Sequence, residues 1–274
     1  MRGLYSQMNQ LTFALCASGA KAYLEETVAA ADSILAVHPD ASVSLYTDLD
    51  VPVPNRIDKR LLRPHPDGYR QKIVSLISAP EERILFLDGD CRVIGKLDDF
   101  ASLLDRFDLC VTHAPNRFTV QLDIPDAFPE FNTGVILLRK TFQVTSFLKH
   151  WLRKYDDFVE LFKDMPSKDQ PAFRMALWEA AGLKWLSPSL FIFTSEYNMR
   201  FRMESMVSHF VKILHGRGDY EKVKGLINGG PTLRYTKGPA PRVFSRDALA
   251  SRAGRGLLRW RLWQRCISAR LRGG

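Results

Sequence analysis

Short apolar runs alternate with amphipathic segments along the first half of the chain. Strand-like runs cover 11–17, 42–48 and 83–88, and helical periodicity covers 20–38 and 68–79. This is the order that a parallel α/β sheet requires, and such sheets bind ligands at the carboxyl ends of their strands. Gly19 permits a tight turn after the first strand. The first helix is expected to bury one face that carries Tyr23, Val28, Ala31 and Leu35.

The second half continues this pattern and then becomes mainly helical. It predicts a short helix over 97–107, strands over 108–114 and 131–140 with a loop over 114–130 between them, and helices over 142–162 and 168–182. Ser167 is expected to cap the last helix. A strand and a glycine turn over 209–218 end the folded body.

The net charge of +9 is confined to the end of the chain. From Arg234 onward there are eleven Lys and Arg against the single acid Asp247, which leaves residues 1–233 with a formal charge of −1. We therefore expect a globular body over 1–231, divided into halves over 1–113 and 114–231, and a basic tail over 232–274. A basic tail on a near-neutral body indicates an anionic surface as partner and does not indicate nucleic acid.

Hydrophobicity and cysteine usage favour a cytoplasmic protein. No run of about 20 apolar residues occurs, so we predict no transmembrane span, and the interrupted apolar run at the N-terminus does not favour a signal peptide. The four cysteines show no CxxC spacing and three lie in or beside apolar strands. Reduced, buried thiols are the expected state, which fits the cytosol.

The candidate chemistry begins at "RILFLDGDCRV", where a buried strand ends in Asp88 and Asp90. Two carboxylates so close together are costly unless a cation takes up their charge, and Mg²⁺ or Mn²⁺ completes its shell with phosphate oxygens and water. Asp48 and Asp50 form a second pair of this kind. Their strand is less apolar, so we expect that pair to be solvated at the surface.

His215 is a candidate third ligand. In "HFVKILHGRG" it shares the buried face of a strand with Val211 and Ile213, just before a glycine turn. A structural core histidine is the alternative, and His209 is the competing ligand.

Two further segments carry candidate polar groups. In "FNTG", Gly134 inside a strand with Asn132 before it indicates that another group approaches the backbone closely, an ordinary bulge being the alternative. In "SKDQP", Asp169 and Gln170 begin a helix, where the helix dipole favours negative charge. Asp169 has the alternative of a simple N-terminal acid. Dinucleotide-binding, P-loop, zincin and hydrolase-elbow motifs do not occur in the sequence.

The order of these motifs resembles that of the GT-A nucleotide-sugar glycosyltransferases. The DxD pair, "FNTGVILL", "DQ", the "YN" of "SEYNMR" and HxxG follow one another over about 11–220. The resemblance is to family 8, which includes bacterial lipopolysaccharide galactosyl- and glucosyltransferases and glycogenin. It implies an α/β fold with a Rossmann-like mixed central sheet flanked by helices, and transfer of a sugar from a UDP-sugar to a glycan or lipid-linked glycan acceptor.

The resemblance also implies roles for particular residues. Asp88, Asp90 and His215 would hold Mn²⁺ or Mg²⁺ against the diphosphate of UDP. The base and ribose would be bordered by Ala17, Ser18 and Tyr23. A basic residue facing the donor would be Lys72, with Arg70 as the alternative. The donor sugar would be surrounded by Asn132, Gly134, Asp169 and Gln170, with Gln170 beside the anomeric carbon.

One departure from the family concerns the diphosphate clamp. Family 8 members commonly carry a Lys-Pro-Trp segment after HxxG, whereas this chain reads "HGRGDYEKVKGL", so Arg217 or Lys222 would have to substitute. With no carboxylate nucleophile evident near Gln170, we expect front-face substitution with retention. A sugar nucleotidyltransferase and a non-catalytic nucleotide- or membrane-binding protein are the alternatives.

The tail segment 252–272 contains seven arginines and no acid. On a helical wheel its apolar residues cluster on one side: Leu257, Trp260, Trp263, Ile267 and Leu271. This pattern is typical of a helix at an anionic membrane surface, and it predicts a peripheral position at the inner face of the cell membrane. A disordered basic tail, or a helix packed on the body, is the alternative.

Overall fold

A computed structural model describes residues 11–114, 123–162, 169–183, 185–203 and 205–228, and the backbone of 234–237 and 242–245. The helices are α1 (Lys21–Val37), α2 (Gly68–Ser78), α3 (Asp99–Leu104), α4 (Phe142–Leu161), α5 (Asp169–Ala181) and α6 (Tyr220–Ile227). The first seven strands are β1 (Leu11–Ala17), β2 (Ser42–Thr47), β3 (Asp58–Leu61), β4 (Arg83–Leu87), β5 (Cys91–Val93), β6 (Leu109–His113) and β7 (Phe131–Arg139). The others are β8 (Leu190–Ile192), β9 (Met199–Arg200), β10 (Ser205–Val207), β11 (Ile213–His215), β12 (Arg234–Lys237) and β13 (Arg242–Ser245).

A seven-stranded mixed sheet in the order β3-β2-β1-β4-β7-β6-β8 forms the centre of the protein. Strands β3, β2, β1 and β4 are mutually parallel, as the alternation in the first half predicts. Strand β7 runs antiparallel to both β4 and β6. The predicted α/β fold class with a mixed sheet is therefore confirmed.

Both faces of the sheet are covered by helices because its strands alternate between two cores. In β4, Leu85 and Leu87 pack in one core with α1, whereas Ile84 and Phe86 pack in the other with α2, α4 and α5. A strand buried on both faces reads as a continuous apolar run, which is why "RILFL" was recognisable. Strand β4 therefore ends at the carboxyl edge of the sheet, the edge formed by the carboxyl ends of its parallel strands, and Asp88 follows it there.

A small sheet in the order β5-β11-β9 brings distant residues to that edge. Strand β5 follows the acid pair directly, and its antiparallel register with β11 sets Cys91 opposite His215. On the other side of β11, His215 is opposite Arg200 of β9. This pairing positions the histidine beside the carboxylates.

The predicted buried face of the first helix was wrong in part. Tyr23 is 52% exposed, and the buried residues of α1 are Leu24, Thr27, Ala30, Ala31, Ile34 and Leu35. The buried face is rotated relative to the predicted one because α1 packs small residues, including Thr27, against the turn after β4. Tyr23 instead lies under the guanidinium of Arg217, 5.7 Å from its ring centre.

The tail lies mostly outside the described residues. Within 232–274, strands β12 and β13 pair with each other and β12 pairs with β10. The amphipathic segment 252–272 and the predicted cap Ser167 belong to the part not described. No helix among the described residues combines the length and apolarity needed to span a membrane.

Candidate active site

A cavity of about 960 Å³ opens at the carboxyl ends of β1 and β4. Most of the residues singled out from the sequence line it: Ala17, Ser18, Tyr23, Lys72, Asp88, Asp90, Asn132, Asp169, Gln170, His215 and Arg217. These residues come from segments spread over two hundred positions of the chain. The fold therefore brings these predicted site residues together around one cavity.

The acid pair lies on a tight turn between β4 and β5. The backbone N–H of Asp88 donates to Gly134 O (2.8 Å), and the N–H of Cys91 donates to Asp88 O (2.9 Å). A Cβ on Gly89 would lie 2.4 Å from Thr27 Oγ1, so the glycine is required because α1 packs directly against the turn.

His215 faces both carboxylates. Its Nε2 lies 3.4 Å from Asp90 Oδ1 and 4.0 Å from Asp88 Oδ2, and its side chain is buried. The competing ligand, His209, has a side chain that is 87% exposed. The structure thus brings His215, and not His209, to the acid pair.

Gly134 provides the space that the His215 ring occupies. A Cβ at this position would lie 2.1 Å from His215 Cε1 and 2.8 Å from Asp88 Oδ2. No side chain fits there, so the predicted close approach of another group to this strand glycine is confirmed.

Two asparagine side chains next to the His215 ring belong to one hydrogen-bond network. Asn198 lies between His215 Nδ1 (2.8 Å), Asn132 Oδ1 (2.7 Å) and Thr112 Oγ1 (2.6 Å). Asn132 Oδ1 also accepts from the N–H of Gly134 (3.0 Å). In the sequence analysis "YN" counted only as part of the motif order, so no role was predicted for Asn198. Its contacts depend on strand pairing and have no local sequence signal.

Lys72 lies between two carboxylates at the floor of the cavity. Its Nζ is 2.7 Å from Asp169 Oδ2 and 3.0 Å from Asp88 Oδ1, and the side chain is buried. Burial lowers the pKa of Lys72, but the carboxylates of Asp169 and Asp88 outweigh it, so the net shift is upward. The ammonium stays charged and neutralises acids that would otherwise repel each other.

Asp169 and Gln170 have different surroundings although they are adjacent. Asp169 accepts from Thr133 Oγ1 (2.5 Å) as well as from Lys72, while its backbone carbonyl accepts from Trp151 Nε1 (3.1 Å). Gln170 lines the cavity, and its amide makes no hydrogen bond to the described residues. The acid is held by the protein, and the amide is available to a ligand.

The basic residues predicted for the site differ in whether their side chains line the cavity. Arg70 points away from the cavity and makes two hydrogen bonds to Asp156 on α4 (2.8 and 3.1 Å), so Lys72 is the basic residue of α2 at the site. Arg217 lines the cavity and makes two 2.8 Å hydrogen bonds to Glu26, whereas Lys222 is exposed and does not line it.

Arg200 of β9 also lines the cavity and was not anticipated. Burial raises the pKa of Asp90, but the contact with the His215 ring and the charges of Arg217 and Arg200 outweigh it, so the net shift is downward. Asp90 is therefore a carboxylate flanked by cations.

The turn after β1 is held by an acid that we expected to be solvated. Asp48 accepts hydrogen bonds from Ser18 Oγ (2.9 Å) and Gly19 N (3.0 Å), and Gly19 has a φ of +83°. That expectation was right only in part for Asp48, which is half-buried because β2 ends beside β1 and presents the carboxylate to the turn. Asp50 is 87% exposed and pairs with Lys59, as a surface acid does.

The donor set fits a hard divalent cation. His215 Nε2 faces a carboxylate oxygen of Asp90 at 3.4 Å and one of Asp88 at 4.0 Å, and among the described residues Asp90, Cys91 and His215 place their ligand atoms within 4.8 Å of one another. Carboxylate oxygens suit Mn²⁺ or Mg²⁺. Cys91 belongs to this group and Asp88 does not; burial raises the pKa of the Cys91 thiol well above its usual value, and the thiol contacts Gly134 O.

Comparison with known proteins gives structural likeness only. No family model and no curated protein matches the sequence. A galactosyltransferase, LgtC, solved with donor and acceptor sugar analogs, is 18% identical with a TM-score of 0.49, over 76% of this chain and 87% of that one. Mouse xyloside xylosyltransferase 1 in its apo form is 15% identical with a TM-score of 0.47, over 76% of this chain and 97% of that one.

The glycosyltransferase GlyE of Streptococcus pneumoniae TIGR4 is 16% identical with a TM-score of 0.48, over 76% of this chain. The chain spans about half of GlyE, 54% of its length. All three are glycosyltransferases, the class that the sequence motifs resemble. Likeness at this level is a likeness of fold and does not identify the activity.

Proposed function

We propose that this protein is a metal-dependent glycosyltransferase that moves a sugar from a UDP-sugar to a glycan or lipid-linked glycan acceptor, with retention. The observation that carries the proposal is that His215 Nε2 lies 3.4 Å from an Asp90 oxygen and 4.0 Å from an Asp88 oxygen, in the cavity that Lys72 and Gln170 also line. A cation-binding group at the wall of an open cavity suits a charged leaving group that must enter and leave.

Asp88, Asp90 and His215 would hold the Mn²⁺ or Mg²⁺, which would neutralise charge on the departing diphosphate. Lys72 Nζ forms an ion pair with Asp88 Oδ1 at 3.0 Å, whereas Asp88 Oδ2 faces His215. The lysine thereby orients the carboxylate and adds positive charge near the same oxygens. Preorganised charge of this kind is a large contribution to transferase catalysis.

The outer end of the diphosphate would meet Arg217. Its guanidinium is held by Glu26 and lies over the ring of Tyr23, at the rim of the cavity. We propose that Arg217 replaces the lysine clamp of family 8. Ala17, Ser18 and Tyr23 would border the base and ribose, on the turn that Asp48 holds rigid.

The donor sugar would lie over Asn132, and a buried orphan group supports this placement. Asn132 Nδ2 is buried and has no hydrogen-bond partner among the described residues, although Asn132 Oδ1 has two. An unsatisfied buried donor costs about 1–3 kcal/mol, so a ligand acceptor such as a sugar hydroxyl would be stabilised here. Gly134 and Asp169 complete this side of the cavity.

Front-face substitution with retention is supported by the two residues at the start of α5. Asp169 is paired with Lys72 and accepts from Thr133, which makes its carboxylate a poor nucleophile. Gln170 is a neutral amide whose oxygen would stabilise positive charge at the anomeric carbon without forming a bond. Positioning of donor and acceptor would then supply most of the rate enhancement.

Two alternatives remain distinguishable. A sugar nucleotidyltransferase would need a lysine of the first glycine-rich loop at the phosphates, but Lys21 is on the surface and pairs with Glu25 (3.4 Å). A non-catalytic binder would retain nucleotide binding without transfer.

The test is a donor-hydrolysis screen over UDP- and GDP-sugars with Mn²⁺ present. We expect release of UDP from one UDP-sugar, and when a glycan acceptor is then added, an α-linked donor should give a transfer product whose anomeric proton shows an α-linkage by NMR. Turnover of a sugar phosphate with UTP would favour the nucleotidyltransferase. UDP binding without any turnover would favour the binder, and a β-linked product would exclude retention.

A further inference from the structure

A chain of hydrogen bonds fixes the orientation of two amide side chains below the cavity. It begins at the backbone N–H of Gly134, which can only donate and lies 3.0 Å from the amide of Asn132. The Asn132 atom that it contacts must therefore be the oxygen. This assignment does not depend on any side chain and sets the direction of every following bond.

The next bond fixes Asn198. The Asn198 atom 2.7 Å from Asn132 Oδ1 must be the nitrogen, because an oxygen there would face another oxygen. The same nitrogen also lies 2.6 Å from Thr112 Oγ1, which can accept its second hydrogen. Asn198 Oδ1 is then the atom that lies 2.8 Å from His215 Nδ1.

The last bond determines where the imidazole carries its proton. An amide oxygen only accepts, so His215 Nδ1 must be protonated in either charge state of the ring. In the neutral ring, Nε2 then has the lone pair, and Nε2 is the nitrogen that faces Asp90 Oδ1 and Asp88 Oδ2. Asn132, Asn198 and Thr112 are all at most 4% exposed, so these hydrogen bonds are shielded from bulk water.

We propose that Asn198 is a positioning residue that holds the Nδ1–H form of His215, so that Nε2 can ligate a divalent cation. The inference rests on the proposed function, because it concerns the same metal site. Gly134 serves this arrangement twice: its N–H starts the chain of bonds, and its missing side chain leaves space for the ring. A partner that orients the second nitrogen of a ligating histidine typically contributes 10–100-fold to metal affinity.

The first test is the protonation state of His215 by ¹⁵N NMR on histidine-labelled full-length protein. The chain has six histidines, and the His215→Ala variant identifies the signals of this ring. We expect a protonated Nδ1 in the wild type, and loss of that fixed state in Asn198→Leu. A neutral His215 ring protonated only at Nε2 in the wild type would overturn the proposal. This outcome needs no variant, so it can be observed even if Asn198→Leu does not fold.

The second test is Mn²⁺ affinity, measured by electron paramagnetic resonance without any sugar nucleotide. Asn198→Leu should weaken binding about 10–100-fold. The matched control Thr112→Val removes one acceptor of Asn198 but leaves the bond to His215, and it should weaken binding by no more than about threefold. Equal effects of the two variants would overturn the proposal.

These readouts separate the inference from the proposed function. If the wild type binds Mn²⁺ through His215 but hydrolyses no UDP-sugar, the proposed function fails and the role of Asn198 stands. If the wild type hydrolyses a UDP-sugar and Asn198→Leu binds Mn²⁺ normally, the proposed function stands and the role of Asn198 is refuted.

Discussion

Replacing Gly134 with alanine is the sharpest structural perturbation of the site. The new Cβ would lie 2.1 Å from His215 Cε1 and 2.8 Å from both His215 Nε2 and Asp88 Oδ2. Carbon atoms in contact prefer about 3.5–4.0 Å, so the ring has to retreat by about 1.5 Å. The carboxylate can turn away more easily because it is the end of a flexible side chain.

A retreat of this size should abolish metal binding and reduce stability. Ligand distances in metal sites are kept within about 0.2 Å, far less than the displacement. Overpacking in a buried region typically costs about 1–3 kcal/mol in the free energy of unfolding. For a protein of this size, each kcal/mol lowers the melting temperature by about 2–4 °C.

The assay combines thermal unfolding with Mn²⁺ titration. Gly225→Ala is the matched control: nothing lies within 4 Å of a Cβ there, and alanine inside α6 should stabilise by about 0.5–1 kcal/mol. In a His215→Ala background the cost of Gly134→Ala should shrink, because the clashing ring is gone. An unchanged melting temperature and unchanged Mn²⁺ affinity in Gly134→Ala would refute the packing argument.

Three further predictions concern charge. Lys72→Met should lower the free energy of unfolding by about 3–5 kcal/mol in urea titration, because it leaves buried carboxylates unpaired, and a loss below 1 kcal/mol would contradict this. Arg217→Gln should weaken UDP binding about tenfold by calorimetry through loss of a charge-assisted hydrogen bond, whereas Arg70→Gln should not change it. Deleting 252–274 should abolish sedimentation with anionic vesicles, and unchanged sedimentation would exclude the membrane role of the tail.

The fold was predictable where apolar runs were long. Strand β4 is buried on both faces and β7 runs for nine residues, so each stood out from its surroundings. Strands β5, β8 and β9 have only two or three residues, too few for a recognisable period, and they were missed. Their pairing is determined by neighbours that are distant in sequence.

The same distinction applies to the site. Asp88 and His215 were found because each follows an apolar strand at a chain reversal. Asp48 and Asn198 act through partners 29 or more and 17 or more positions away, so no local pattern marks them. Arg70 and Lys72 are two positions apart on one helix, and only the packing of α2 decides which one faces the cavity.

The central claim is that Asp88 and Asp90 bind a divalent cation against the diphosphate of UDP. The most direct test is the thermal stabilisation of the full chain by UDP, with and without Mn²⁺. At about 100 times the dissociation constant, binding adds about 2.7 kcal/mol, a shift of several degrees. The comparison uses the Asp88→Asn, Asp90→Asn double variant and the control Asp50→Asn, which alters the exposed acid of the second pair.

We predict that UDP stabilises the wild type and Asp50→Asn only when Mn²⁺ is present, and that the double variant gains no stability from the pair of ligands. Equal stabilisation of the wild type and the double variant by UDP with Mn²⁺ would contradict the claim.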